Sequence, residues 1–393
     1  MRGSRSSVRQ RLTGLLLGLV LLLSGCDAGG LFDLLPADDS ADPPAPEEVV
    51  DESEGTDGGA DDPATPPVDD AAEGEAPAAD ADDEAGDDDA AEEEDDGVAA
   101  PGGADDILAG TDGFFVPPTQ AADWVAGNAG DPRADVIAER IANVPSSSWF
   151  TGADGVGGAV DSVVSAAAAD NTVPVLVAYN VPGRDCGQYS AGGADGSDAY
   201  RAWVDEFAGA IGDRPAIVIL EPDALAGMDC LTDDLQQDRV GLLAYAVEQF
   251  AAQAPNAWTY LDAGHAQWQP ADVMAERLAA AGVSGARGFA LNVSNYTTTE
   301  DNEGYGAEVN AALGAAQPFV VDTSRNGNGS NGEWCNPEGR ALGAEPSVRT
   351  IGEGLEMELW IKLPGESDGD CGIGPGTAAG QFVPDIAVAL ANG

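Results

Sequence analysis

The sequence predicts an α/β fold in which about seven parallel strands close into a barrel, with helices outside it. From residue 107 to the end of the chain, short apolar segments rich in β-branched residues alternate with longer segments of helical periodicity. Such alternation is typical of parallel strands that are joined by helical crossovers. About seven strands in a segment of roughly 290 residues favour a closed barrel over an open, doubly wound sheet.

The predicted strands and helices mostly alternate along residues 107–393. The strands are predicted at residues 114–116, 173–179, 216–220, 258–261, 288–291, 319–321 and 355–361. The helices are predicted at residues 134–144, 156–169, 199–211, 235–252, 271–281 and 303–315. Because all strands of a parallel barrel point the same way, their carboxyl ends meet at one rim.

The first 26 residues have the pattern of a targeting segment. Four arginines precede a Leu- and Val-rich run at residues 12–23, which is too short to span a bilayer and is typical of a secretory signal. The run ends in Leu23-Ser24-Gly25-Cys26, which resembles a bacterial lipobox. The resemblance implies removal of residues 1–25, acylation of Cys26 and lipid anchoring on the extracellular or periplasmic face of the envelope. The alternative is an ordinary signal peptide with a chance cysteine.

Residues 26–106 are predicted to be a disordered tether behind the acylated cysteine. Between residues 27 and 106 there are 31 acidic residues and no Lys or Arg. Such a segment cannot bury enough apolar surface to offset the entropy lost on ordering it. An acidic interaction tail is the less favoured alternative. Residues 107–393 then form a single folded domain.

The formal net charge of −54 excludes several classes of function. It repels phosphate backbones and anionic lipids, so we predict no nucleic-acid partner and no membrane contact except through the lipid on Cys26. The chain has one histidine, His265, which excludes a zinc site built on several histidines. Carboxylates are the groups that remain plentiful for chemistry.

Acidic residues follow five of the predicted strands at the point where each strand ends. They are Asp185, Glu221 with Asp223, Asp262, Asp322, and Glu366 with Asp368. One acid in such a position often only caps the helix that follows. Five acidic positions on one rim, accompanied by Tyr179, Trp268, Trp334 and Lys362, predict a functional site instead.

Paired carboxylates between aromatic platforms fit glycoside hydrolysis. One carboxyl group must stay protonated to give a proton to the leaving oxygen, while an ionised one activates water. Burial and neighbouring negative charge raise the pKa of the proton donor. His265 is better explained as a hydroxyl binder or a structural hydrogen-bonding group than as a base.

Six motifs are spread in order over residues 107–393. They are Tyr179-Asn180-Val181-Pro182-Gly183-Arg184-Asp185-Cys186, Glu221-Pro222-Asp223, Tyr260-Leu261-Asp262-Ala263-Gly264-His265, Asn292-Val293-Ser294-Asn295-Tyr296, Glu333-Trp334-Cys335-Asn336 and Trp360-Ile361-Lys362-Leu363-Pro364-Gly365-Glu366-Ser367-Asp368-Gly369. These motifs resemble those of glycoside hydrolase family 6, which comprises endoglucanases and cellobiohydrolases. The resemblance implies a modified, distorted parallel β/α barrel with fewer than eight strands. It also implies hydrolysis of a β-1,4-glucan chain with inversion, without a cofactor or metal.

The resemblance also implies roles for individual side chains. Asp223 matches the general acid, Asp185 the residue that raises the pKa of that acid and relays a proton, and Asp368 the proposed base. Ser190 lies where the family positions the attacking water, and Tyr179 where the sugar ring is distorted.

Other matched residues are implied to bind the sugar chain. Asp262 would bind across the scissile bond; His265 and Trp268 would bind on the leaving side, and Trp334, Arg340, Lys362 and Glu366 on the glycone side. Asn292 and Asn295 keep two interpretations, contact with sugar hydroxyls or hydrogen bonding within their loop.

Four cysteines remain when Cys26 is set aside, and the resemblance implies the disulfides Cys186–Cys230 and Cys335–Cys371. The segment between Cys371 and Phe382 is too short for the lid of a cellobiohydrolase tunnel, which favours an endoglucanase. The alternatives are an exo-acting cellobiohydrolase and a non-catalytic glucan-binding surface protein. We expect a monomer.

Overall fold

The computed structural model describes residues 107–152, 154–352 and 354–393. In chain order its strands are β1 Ser147–Phe150, β2 Val175–Ala178, β3 Ala216–Leu220, β4 Ala257–Asp262, β5 Gly288–Leu291, β6 Phe319–Asp322, β7 Ser347–Val348 and β8 Leu355–Leu359. Its α-helices are α1 Gln120–Gly127, α2 Ala134–Ile137, α3 Val156–Ala169, α4 Ser197–Ile211, α5 Asp233–Gln253, α6 Ala271–Ala280, α7 Thr299–Leu313 and α8 Pro384–Asn392. A single π-helical turn, Ala138–Ala142, continues α2.

The strands form one curled sheet in the order β1-β2-β3-β4-β5-β6-β8-β7. Strands β1 to β6 and β8 pair in parallel, whereas the two-residue β7 pairs with β8 in antiparallel orientation. Across the seam, the Ser147 amide donates to the Trp360 carbonyl at 3.0 Å, and Trp149 Nε1 donates to the Ile361 carbonyl at 2.8 Å. The predicted fold class, a distorted parallel barrel, is therefore confirmed.

One predicted strand was wrong, and two strands, β1 and β7, were not predicted. The strand predicted at 114–116 is reduced to an isolated bridge between Phe114 and Val173, because Pro117 and Pro118 follow it and proline has no N–H to continue a ladder. Strand β1 was missed because two of its four residues are serines, which hide the apolar signature.

The core has two layers, because both faces of a parallel sheet are covered. Along β3, Ile217 and Ile219 point into the barrel, while Val218 and Leu220 pack against the helices outside. The sequence is apolar at every position of β3 for this reason. Such a rigid sheet fixes the loops at its carboxyl edge, where the acidic residues lie.

Both predicted disulfides are confirmed. Cys186–Cys230 joins the segment after β2 to the turn after β3, and Cys335–Cys371 joins two segments on the other side of the rim. Cys186–Cys230 closes a loop of 44 residues and Cys335–Cys371 a loop of 36. In the chain-entropy account, each disulfide stabilises the fold by about 4 kcal/mol.

The predictions for the amino-terminal part of the chain lie outside the described residues. These are the signal segment 1–25, the acylated Cys26 and the tether 26–106. Within the part that the structure describes, no helix has both the length and the apolar character needed to cross a bilayer.

Candidate active site

A cleft of about 830 Å³ lies along the carboxyl ends of the parallel strands. Most of the predicted site residues line it: Tyr179, Asp185, Ser190, Asp223, His265, Trp268, Asn295, Trp334, Lys362, Glu366 and Asp368. They come from segments that follow β2, β3, β4, β5, β6 and β8. The parallel sheet therefore gathers residues that are up to about 190 positions apart in the chain into one site.

Asp223 lies three residues beyond the end of β3 and is partly exposed to the cleft. Its backbone and that of Glu221 are in the left-handed region, with φ of 67° and 51°; such conformations are costly for residues other than glycine and cluster at active sites. The Asp223 amide donates to Asp262 Oδ1 at 2.9 Å, which fixes this turn.

The surroundings of Asp223 favour its protonated form. Burial, followed by the negative charge of Asp185, raises its pKa to about 7. Lys362 opposes this shift and Asp368 adds to it. A carboxyl group with such a pKa still carries its proton near neutral pH, which a general acid requires.

Asp185 approaches Asp223 from the segment after β2. Its φ of 56° is also left-handed, and its carboxylate accepts a hydrogen bond from the Ser190 amide at 2.5 Å. Burial raises the pKa of Asp185, although this hydrogen bond and Arg184 oppose the shift. Arg184 stacks on the Tyr179 ring at 4.6 Å and donates from Nε to the Ser190 carbonyl at 2.9 Å. It therefore links the residue implied to distort the sugar to the residue implied to position the water.

Asp368 has the opposite environment. Arg325 Nη1 donates to both of its carboxylate oxygens at 2.9 and 3.0 Å, and the Tyr296 hydroxyl and the Asn336 amide each donate to Oδ2 at 3.0 Å. Lys362 Nζ lies 3.8 Å from Oδ1. Burial alone would favour the protonated form, but Arg325 and Lys362 outweigh it and lower the pKa of Asp368. This carboxylate therefore stays ionised.

Aromatic side chains form the ends of the cleft. Trp268 and Trp334 are 38% and 48% exposed, unusually high for indole rings. Trp268 packs beside His265, with ring centroids 5.6 Å apart. Burial lowers the pKa of His265 to about 4, so the imidazole is neutral near pH 7 and suits hydrogen bonding better than charge stabilisation. Tyr189, which also lines the cleft, packs beside Trp334, with ring centroids 6.0 Å apart.

Three predicted binding residues do not line the cleft. Asp262 is 2% exposed and accepts from the Asp223 and Gly264 amides. Asn292 is fully buried and bonds to Thr297 and the Asp322 carbonyl, which favours the loop interpretation over hydroxyl contact. Arg340 donates to the Asn328 and Gly329 carbonyls. Asn295, in contrast, lines the cleft.

Sequence reasoning did not predict which groups hold the acids in place, although it named Glu221 as an acid on the rim. Arg325, Tyr296 and Asn336 bind Asp368, and Glu221 and Arg239 support the segment before Asp185. A signal for Arg325 was present: it lies three residues after the end of β6, in a domain with only 12 basic residues. Among the described residues there is no group of three His, Cys, Asp or Glu side chains suited to a metal ion.

A curled parallel sheet whose rim holds one carboxyl group with a raised pKa and one with a lowered pKa, in a cleft with exposed indoles, has the arrangement of a glycoside hydrolase. The family model described as Glycosyl hydrolases family 6 matches residues 115–393. The chain belongs to that family.

Individual relatives agree with the family model. The chain is 50% identical over 302 residues to Endoglucanase 1 of Streptomyces halstedii, covering 75% of this chain and 93% of that protein. It is 47% identical over 288 residues to Endoglucanase A of Cellulomonas fimi, covering 72% of this chain but 61% of that protein.

A solved structure is also similar. The endoglucanase Cel6 from Mycobacterium tuberculosis, in complex with methyl-cellobiosyl-4-deoxy-4-thio-β-D-cellobioside, superimposes with a TM-score of 0.67. It shares 43% identity, and the match covers 73% of this chain and 98% of that one.

Proposed function

We propose that the protein is an endo-β-1,4-glucanase that hydrolyses cellulose or soluble β-glucan with inversion. The observation that carries the proposal is the pair of carboxyl groups in one cleft, Asp223 with a raised pKa and Asp368 with a lowered one. The names of the relatives support a glucan as substrate. The exposed indoles of Trp268 and Trp334 offer flat surfaces on which sugar rings stack.

In this mechanism Asp223 donates its proton to the glycosidic oxygen as the bond from C1 to that oxygen breaks. A water held near Ser190 attacks C1 from the opposite face, and Asp368 accepts its proton as the base. Asp185 keeps the pKa of Asp223 high through its charge and relays the proton that restores Asp223.

The remaining residues of the cleft bind the chain on either side of the broken bond. Tyr179 presses on the ring before that bond, while Trp334, Lys362 and Glu366 bind the glycone side. Trp268 and His265 bind the leaving side, and Asn295 supplies a hydroxyl contact. Asp262 and Arg340 act indirectly, through the backbone groups that they bind.

The segment after Cys371 supports internal cutting rather than attack from chain ends. It folds back on residues 366 and 367, through a bridge between Glu366 and Phe382 and a bond from the Ser367 amide to the Gln381 carbonyl at 2.9 Å. Of this segment, Ala379 and Gly380 line the cleft. Tyr189 also lines it, and its hydroxyl donates to the Asp370 carbonyl at 3.3 Å.

Viscosity loss and reducing-end release on carboxymethylcellulose test this proposal together. An endoglucanase collapses the viscosity while few reducing ends have formed. Slow collapse with release of cellobiose would show a cellobiohydrolase instead, and binding without new reducing ends would show a glucan-binding protein. Proton NMR of the first products tests the stereochemistry, since inversion requires the α-anomer to appear first.

We also propose that the protein is exported, acylated on Cys26 and held away from the envelope by residues 26–106, and that it acts as a monomer. The lipobox-like residues 23–26 and the uniformly acidic segment support this. Labelling of cells with a fatty acid should mark the wild type but not Cys26→Ala. The same substitution should release the enzyme into the soluble fraction, and retention of the variant on the envelope would contradict the anchor.

A further inference from the structure

Two buried side chains of opposite charge hold the segment from Asn180 to Gly183. Both carboxylate oxygens of Glu221 accept from the Asn180 amide at 2.9 Å, and Oε2 also accepts from the Val181 amide at 2.9 Å. Arg239 Nη2, from α5, donates to the Pro182 and Gly183 carbonyls at 2.8 and 2.9 Å. Four consecutive residues thus have a backbone group bound to one of these two side chains.

Both side chains are also tied to the turn that carries Asp223. Glu221 is two residues before Asp223 in the chain, and Arg239 Nη1 donates to the Ala224 carbonyl at 3.4 Å. The segment that they hold leads directly into Arg184 and Asp185. Asp185 and Asp223 therefore both depend on the positions of Glu221 and Arg239.

This support is costly for the fold. Glu221 and Arg239 are 1% and 3% exposed, and burial of charged groups carries a large desolvation penalty. Arg239 Nε and Asn180 Nδ2 are buried with no hydrogen-bond partner among the described residues. Burial raises the pKa of Glu221 to about 7 and lowers that of Arg239. Apolar side chains would avoid this penalty but would leave the backbone groups of residues 180–183 without these partners.

We infer that Glu221 and Arg239 are positioning residues that fix Asp185 and Tyr179 relative to Asp223. This inference rests on the proposed function. Neither side chain needs to touch the sugar; each acts through the backbone of residues 180–183. If the segment relaxes, the charge of Asp185 moves away from Asp223 and water enters, and both changes lower the pKa of Asp223.

Glu221→Gln tests the inference, because it keeps the size of the side chain and removes the charge and one acceptor oxygen. Glu356→Gln is a matched control. Glu356 is fully buried like Glu221, and it accepts from the Tyr260 hydroxyl, from Arg287 and from the Gly352 amide at 2.8 Å. It lies in β8, outside the cleft lining.

The readout is the pH profile of kcat/KM on carboxymethylcellulose, together with the unfolding temperature. The charged groups that act on Asp223 are Asp185, Lys362 and Asp368, with Asp262 at its amide. On the basic limb of the profile, kcat/KM falls as Asp223 loses its proton. We expect Glu221→Gln to move this limb to lower pH by about one unit. We expect kcat to fall about 30-fold with KM within about two-fold. Glu356→Gln should lower the unfolding temperature and leave the limb in place.

Arg239→Lys supplies a second test, since it keeps the charge and loses the planar guanidinium that binds the Pro182, Gly183 and Ala224 carbonyls. It should shift the basic limb of the pH profile in the same direction as Glu221→Gln by a smaller amount. This variant tests the inference on its own if Glu221→Gln does not fold. Unshifted basic limbs in the variants that fold would overturn the inference and leave the proposed function intact. A wild type that releases no reducing ends would instead overturn the proposed function.

Discussion

Two aspartates of the cleft lie in opposite electrostatic environments. One is on the wall formed by the segments after β2 and β3, and the other is on the wall formed by the segments after β6 and β8. On one wall Asp223 lies beside another carboxylate, Asp185, and its pKa is raised to about 7. On the other wall Asp368 is bound by the buried guanidinium of Arg325 and by Lys362, and its pKa is lowered. Both residues are aspartates, so the difference between their pKa values comes from their neighbours.

This difference shows how a strongly acidic protein can maintain an ionised carboxylate beside a protonated one. The domain from residue 107 has 39 acidic and 12 basic residues. One of those 12, Arg325, is 1% exposed and binds Asp368. The positive charge of Arg325 thus lies beside Asp368 and favours its ionised form. Asp223 has the negative charge of Asp185 nearby, which favours its protonated form.

The largest effect is expected from Asp223→Ala. Removal of the proton donor should reduce hydrolysis of carboxymethylcellulose by about 10³- to 10⁴-fold, the upper range of general acid catalysis. A dinitrophenyl cellobioside, whose leaving group needs no proton, should lose much less activity. Cello-oligosaccharide binding, measured by calorimetry, should be unchanged. Equal losses on both substrates would show that Asp223 is not the acid.

The next largest effect is expected from Arg325→Met, which removes the main partner of Asp368. The pKa of Asp368 is lowered in the native protein, so loss of the guanidinium should raise it and move the acidic limb of the pH profile to higher pH. Activity should fall about 100-fold. Stability should fall by about 3–5 kcal/mol, because a buried carboxylate loses the guanidinium that neutralises it.

Arg201→Met is the control for that variant. Arg201 forms an exposed ion pair with Asp198 at 3.5 Å, and such pairs contribute about 1 kcal/mol or less. Urea unfolding should therefore separate the two variants clearly. An Arg325→Met enzyme with an unmoved acidic limb would show that Asp368 owes its charge to other groups.

A smaller effect is expected from Asp185→Asn. The negative charge of Asp185 raises the pKa of Asp223, so its removal should move the basic limb of kcat/KM to lower pH. Activity at neutral pH should fall about ten-fold as the acid loses its proton. Asp161→Asn, on the exposed face of α3, makes the same chemical change far from the cleft and should have neither effect.

The smallest effect on catalysis is expected from salt. The exposed acidic surface repels itself, and salt screens exposed charges more than buried ones. Sodium chloride up to about 2 M should therefore raise the free energy of unfolding while both limbs of the pH profile move by less than about 0.3 units. Sucrose at equal osmolality is the control. Stability that is independent of salt would contradict this account of the surface.

Much of the fold could be predicted from local patterns. Strand β3 is apolar throughout, and its predicted bounds match the structure. Helix α3 also matches at both ends. Strand β1 could not be predicted from its own residues. Ser147 is held by hydrogen bonds to the Trp360 and Ile361 carbonyls, more than 200 residues away in the chain. A local pattern carries no information about such partners.

The site could be predicted in part. The acids on the rim follow from strand ends, and the cleft contains Asp185, Asp223 and Asp368 together. The protonation of each acid could not be predicted from spacing, because it depends on partners such as Arg325, 43 residues from Asp368 in the chain. The burial of Asn292 and the inward position of Asp262 likewise depend on how loops fold over one another. The catalytic roles themselves stay predictions.

Carbon-13 NMR of the aspartate carboxyl groups, assigned with Asp223→Asn and Asp368→Asn, measures the contrast between the two walls directly. Asp223 should titrate with a midpoint of about 7, whereas Asp368 should remain ionised below the ordinary aspartate value of 3.8. A spectrum in which Asp223 is already ionised at about pH 5, or in which Asp368 takes up a proton above that pH, would contradict the assignment of acid and base.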